Sequence, residues 1–174
     1  MTAAAGSLMK AQDHLRTMLA NAAAVRTWMG VETVAAALAK IHHEALPPPA
    51  DDAVEYTLAE LATYRPFIIV STDEENGYRK TAEAMGVFAA GGTLRVELEQ
   101  AVPADKTNPA EIAILFKNSI GAIIDELVGM VDTAGYLAFD QIAMTLGPFR
   151  ATEDEATTQG DWQAVVLELE WSGL

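Results

Sequence analysis

Residues 91–102, GGTLRVELEQAV, alternate strictly between apolar and polar side chains. The apolar positions are Leu94, Val96 and Leu98, and the polar positions are Arg95, Glu97 and Glu99. A period of two predicts a β-strand with one buried face and one solvent-facing face. Because a half-buried strand needs both a sheet and a covering layer, this pattern predicts a sheet with a second layer packed on one face.

Residues 164–173, AVVLELEWSG, repeat the pattern near the end of the chain. Glu168 and Glu170 occupy the polar phase, whereas Trp171 falls in phase with Leu167 and Leu169. We therefore predict that Trp171 packs in the core and is not an interface anchor. If the two strands are neighbours, their acidic faces share one surface with the strands only ~5 Å apart. Like charges placed directly across a strand pair would weaken it.

Helix signals precede and separate the strands. An amphipathic helix is predicted from Ser7 to Gly30, followed by a short helix that leads into an extended piece around Ile41. The clearest helix spans about 109–134, since Asn108 can cap it and Pro109 suits its first turn. Further strands are predicted at RPFIIVS (65–71), YLAFDQIAMTLGPF (136–149) and WQAVVLELEW (162–171), the last two forming a hairpin.

This order of elements predicts an α+β fold, with an antiparallel or mixed sheet packed against helices. At 174 residues, the chain is most simply a single domain, 1–174. Two long loops are expected, at 72–92 and 151–161.

The net charge of −14 is concentrated in the second half of the chain, because residues 97–174 hold 14 of the 25 acidic residues but 3 of the 11 basic ones. Such a balance argues against sequence-specific nucleic-acid binding and against an anionic membrane surface. The most apolar window, 112–131, contains Lys117, Asp125 and Glu126, which indicates a core helix and no membrane span.

Reactive groups are sparse. The chain has no cysteine, and its histidines are His14, His42 and His43. Adjacent His42 and His43 point in different directions in either a strand or a helix, so a shared metal is disfavoured. Ser119 lies within a helical repeat and lacks a nucleophile elbow. We predict no catalytic residue, no cofactor and no metal site.

The polar strand faces remain as candidate interaction residues, namely Glu97, Glu99, Glu168 and Glu170. They form either an ordinary solvated face or a functional surface. A functional surface could dock a basic partner, or it could line an aperture through which a polyanion passes without adhering.

The combination of AKIHHEALPPP, YRPFIIV, GGTLRVELE, a capped helix and a terminal LELEW hairpin resembles the tail-terminator and minor-tail proteins of bacteriophages and prophages. That resemblance implies a subunit that assembles with itself into a ring, commonly hexameric, and contacts the tail tube and head-completion proteins. It also implies residence in the bacterial cytoplasm during assembly and then in the virion tail. On this interpretation the loop 72–92, with Tyr78 and Arg79, and the tip 151–161 make contacts between subunits or with the tube, and an acidic strand face borders the channel.

Two other classes stay open. One is a small enzyme or ligand-binding domain with a cleft under residues 72–92, for which Tyr64, Arg65, Tyr78 and Arg79 would supply polar groups. The other is an adaptor that docks a basic partner on the acidic strands, which would differ from a ring in its one-to-one stoichiometry.

Overall fold

A computed structural model describes residues 7–49, 55–75, 77–82, 88–134, 137–139, 142–152 and 162–173. The helices within these ranges are α1 (Ser7–Asn21), α2 (Ala23–Met29), α3 (Val34–Leu38), α4 (Leu58–Tyr64) and α5 (Pro109–Ala134). The strands are β1 (Ile41–His43), β2 (Phe67–Thr72), β3 (Arg79–Ala82), β4 (Phe88–Ala101), β5 (Leu137–Phe139), β6 (Ile142–Thr152) and β7 (Trp162–Gly173).

The described strands form one mixed sheet in the order β1-β2-β4-β7-β6-β5, and β3 pairs with β4 beside β2. The β1–β2 pair is parallel, and every other pair is antiparallel. The predicted α+β class is therefore confirmed. The two alternating strands are neighbours, since residues 90–101 of β4 pair continuously with residues 162–173 of β7.

The core lies between one face of this sheet and the helices. Its sheet side consists of Ile41, Ile68, Val70, Leu94, Val96, Leu98, Val165, Leu167, Leu169 and Trp171. Its helix side includes Leu15, Leu19, Val25, Met29, Phe116, Ile120, Ile123 and Leu127. Trp171 is only 1% exposed, so its predicted place in the core is confirmed. The spacing of the four buried α5 residues matches one helical stripe, and the bounds of α5 agree with the predicted 109–134.

The single N-terminal helix that the sequence predicts is divided in two. Ala22 adopts an extended conformation, with φ −66° and ψ 125°, and α2 begins directly after it. Its side chain cannot cap α2. The carboxylate of Glu126, in α5, instead accepts hydrogen bonds from the backbone N–H groups of Ala23 at 2.7 Å and Ala24 at 2.6 Å. A cap supplied from another helix has no local sequence signal.

Replacing Glu126 by alanine is expected to lower the free energy of unfolding by about 1 kcal/mol, because two N–H groups at the start of α2 lose their acceptor. Chemical denaturation monitored by circular dichroism would measure the loss. Asp125→Ala is the matched control, since the Asp125 side chain is exposed on the same turn. An equal effect of both substitutions would contradict the capping role.

Part of the segment predicted as the long loop 72–92 is strand. Residues 79–82 of β3 pair with residues 88–91 of β4. Alanine and glycine at positions 89–92 are poor strand formers, so this pairing depends on the neighbouring strands more than on local preference. In the second predicted loop, 151–161, β6 continues to Thr152, and residues 153–161 lie outside the described ranges. The predicted strand 136–149 is two antiparallel strands, β5 and β6.

Candidate interaction surface

The sheet face opposite the core holds all four glutamates that the sequence singled out. Residues directly paired across strands share a face, and alternate residues along a strand do so too. On that criterion the outer face contains Phe67, Ile69 and Ser71 of β2, Thr93, Arg95, Glu97 and Glu99 of β4, and Ala164, Val166, Glu168 and Glu170 of β7.

The register removes the expected repulsion between the two strands. Glu168 lies opposite Arg95, and its other neighbour in register is Arg150 of β6. The remaining glutamates face neutral partners, with Glu97 opposite Val166, Glu99 opposite Ala164 and Glu170 opposite Thr93. Both strands alternate, but their register is set by the apolar pairs on the core face, such as Leu94 with Leu169 and Val96 with Leu167.

Glu99 is not part of an accessible acidic face, contrary to the interpretation of the sequence. It is 7% exposed, and its Oε1 lies 2.5 Å from Nε of Arg65, just before β2. The guanidinium carbon of Arg65 also lies 5.3 Å from the centroid of the Trp162 ring, within range of a cation–π interaction. The chain therefore neutralises Glu99 internally, and this carboxylate is structural.

The segment around α4 lies against the β1 end of the outer face. Tyr64 meets His42 edge to face at 6.1 Å, and Tyr56 meets Tyr64 at 6.3 Å. The ammonium of Lys40 donates to the carbonyls of Tyr64 and Pro66, both at 3.3 Å. Burial, followed by the positive charges of Arg16 and Lys40, lowers the pKa of His42 below 6.5. At pH 7 His42 is therefore mostly neutral, which suits its contact with the ring of Tyr64.

Arg95, Glu97, Glu168 and Glu170 remain at the surface, and we call these four residues the charged strip. The first three are half-buried, and Glu170 is exposed. The strip combines three carboxylates with one guanidinium on two adjacent strands. Such a surface can bind a partner with mixed or positive charge, and it disfavours phosphate.

Tyr78 and Arg79 lie elsewhere. Tyr78 is 46% exposed, and the centroid of its ring lies 6.3 Å from that of Trp171, which belongs to the core face. Arg79 pairs in register with Gly91, and its side chain is outside the described part of the structure.

Tyr78 and Arg65, two of the residues proposed for a cleft, are not brought together. Tyr78 contacts Trp171 on the core face, and Arg65 contacts Trp162 on the outer face. The β4 partners of these tryptophans are Gly92 and Ala101. A strand rise of about 3.3 Å per residue places those two partners ~30 Å apart.

A polar cluster between α1 and β1 was not anticipated. His43 Nε2 lies 2.9 Å from Asp13 Oδ1 and 2.6 Å from Arg16 Nη1. Beside it, the amide of Gln12 donates to Glu44, whose φ is +58°. Spacing of Asp13 and Arg16 on one helix face was a usable signal, but their partners in β1 were not identifiable from local sequence. Among the described residues, no group of three or more acidic or histidine side chains could hold a metal ion.

No protein-family model matches the chain, and no curated protein matches it significantly. Within the ranges that the structure describes, no helix combines the length and apolarity needed to cross a membrane.

Proposed function

We propose that this chain is a structural subunit of a bacteriophage or prophage tail, of the terminator or completion type, that assembles into a ring. The observation that carries the proposal is the charged strip. One face of the sheet is covered by helices, whereas Glu97, Glu168 and Glu170 remain at the surface of the other. In the ring, the strip borders the channel.

The electrostatics of the strip suit a channel wall. Carboxylates repel the phosphates of DNA, so an acidic wall lowers adhesion to a passing strand instead of binding it. Arg95 lies opposite Glu168, which keeps the adjacent strands compatible while the strip stays net negative. The role is structural, without a catalytic step, and the partners are further copies of the chain, the tail tube and head-completion proteins.

The order of elements supports the same proposal. The helix before β1, the extended β2, the β3–β4 pair, the capped α5 and the β6–β7 hairpin follow the arrangement on which the resemblance to tail-terminator and minor-tail proteins rests. On this proposal the protein resides in the bacterial cytoplasm during assembly and then in the virion tail.

Reversing charge on the strip tests the channel role. We expect the double variant Glu97→Lys, Glu170→Lys to assemble as the wild type does. Unlike the wild type, it should bind DNA, with an affinity that falls steeply as the salt concentration rises. These two positions are chosen because neither lies opposite an arginine in the β4–β7 pair. Electrophoretic mobility shift and native mass spectrometry would measure DNA retention and assembly.

The matched control is Glu32→Lys, Asp125→Lys, which changes the net charge equally at exposed positions outside the strip. DNA retention by the strip variant alone would support the channel role. Equal behaviour of both variants would contradict it. A stable one-to-one complex of the wild type with a basic protein, without ring formation, would favour an adaptor instead.

A further inference from the structure

The described sheet ends at β1, which is bonded to a neighbour on one side only. The bonds to β2 include Ile68 N–H to Lys40 O at 2.9 Å and Glu44 N–H to Val70 O at 3.0 Å. A parallel ladder uses alternate residues of a strand, so the backbone groups of Ile41 and His43 face away from β2. An edge strand with free backbone groups is a template for an additional strand.

Both outward carbonyls of β1 are already occupied. The guanidinium of Arg16, in α1, donates to Ile41 O from Nε at 2.9 Å and from Nη2 at 2.6 Å. The carbonyl of His43 accepts from the N–H of Ala45 at 2.6 Å. Two donors on one carbonyl leave no acceptor there for an incoming strand.

The position of Arg16 is itself constrained by its neighbours. Its Nη2 lies 3.4 Å from Leu38 O, and its Nη1 lies 2.6 Å from His43 Nε2. Asp13 Oδ1 lies 3.8 Å from the guanidinium and 2.9 Å from His43 Nε2. Arg16 is therefore fixed across the edge of β1 and does not extend into solvent.

We propose that Arg16 protects the β1 edge: its guanidinium occupies the Ile41 carbonyl and so prevents the sheet from pairing with β1 of a second copy of this chain. Without the Arg16 guanidinium, the β1 strands of two copies pair antiparallel about a two-fold axis through His42. The carbonyl of Ile41 in each copy then accepts the backbone N–H of His43 in the other, which makes the contact self-complementary, while the His43 carbonyl keeps its bond from Ala45 N–H. This contact is independent of the charged strip and of the proposed tail role.

Cysteine cross-linking tests this geometry, because the chain has no native cysteine. In the paired state, position 42 would form a non-hydrogen-bonded pair with Cα atoms ~4.5 Å apart, which a disulfide can bridge. We expect His42→Cys, Arg16→Met to form a disulfide-linked dimer at least about tenfold faster than His42→Cys alone under the same mild oxidation. Methionine keeps the apolar stem and helix preference but removes every donor.

Arg26 provides the matched control, since its Nη1 also caps carbonyls, those of Ala20 at 3.0 Å and Asn21 at 2.6 Å, away from the sheet edge. His42→Cys, Arg26→Met is expected to cross-link at the rate of His42→Cys alone. Circular dichroism establishes that each variant is folded, and Arg16→Leu, which also lacks a donor, replaces Arg16→Met if the latter is not. A folded Arg16 variant that cross-links no faster than the Arg26 variant would overturn the proposal.

Discussion

Replacing Trp171 by alanine is expected to lower the free energy of unfolding by about 3–5 kcal/mol, as for other large aromatic side chains removed from a core. Trp171 is 1% exposed and sits in the middle of the sheet, with Gly92 of β4 and Leu146 of β6 as its register partners. Glycine at position 92 contributes no side chain, so little can collapse into the cavity. Denaturant unfolding monitored by far-UV circular dichroism would measure the loss.

Trp171→Phe separates packing from hydrogen bonding. The indole Nε1 of Trp171 is buried and has no hydrogen-bond partner among the described residues. Removing that donor therefore breaks no bond, and we expect a cost below about 1.5 kcal/mol. Trp28→Phe is the comparison, because Trp28 Nε1 donates to Gln100 Oε1 at 2.6 Å. If Trp171→Phe were as destabilising as Trp171→Ala, the packing explanation would be wrong.

The second large effect is expected at the Arg65–Glu99 pair. Glu99→Leu leaves the guanidinium of Arg65 without its carboxylate, at a site where the two side chains are 7% and 10% exposed. Breaking a buried pair from one side costs about 3–5 kcal/mol, because a charge remains desolvated and unpaired. Urea denaturation of the single variants, the double variant and the wild type completes a double-mutant cycle.

The double variant Arg65→Met, Glu99→Leu is expected to recover most of the stability lost in Glu99→Leu, since apolar side chains of similar size replace both charges. Glu170→Leu is the control for an exposed carboxylate on the same face, with an expected change within about 0.5 kcal/mol. Additive losses in the double variant would show that the two side chains do not act as a pair.

Local periodicity was sufficient for the elements that make the core. The alternation in residues 91–102 and 164–173 predicted both central strands, and the caps at Asn108 and Pro109 predicted α5. The helix α4 was missed although its signal was local: Thr57 and Glu60 form a capping box. The apolar pattern of α4 is weak, because none of its residues is buried.

Other features depended on contacts distant in sequence. The break at Ala22 follows from a cap supplied by Glu126, and β3 follows from pairing with β4. Glu97, Glu99, Glu168 and Glu170 were predicted to share one acidic surface, because the alternation showed which face each side chain occupies but not which residues lie opposite one another. Register placed Arg95 opposite Glu168, and tertiary folding brought Arg65 to Glu99, so two of the four predicted interaction residues have arginine partners or neighbours.

Native mass spectrometry of the wild-type protein over rising concentration, combined with electron microscopy of the same samples, tests ring assembly most directly. We expect closed particles with a single subunit number and a central opening, because a heterologous contact whose rotation closes produces a ring of fixed size. The measurement is to extend to ~1 mM, where a contact of about 4 kcal/mol is substantially populated. Monomers alone at that concentration, or an open-ended series of masses, would contradict the proposed ring.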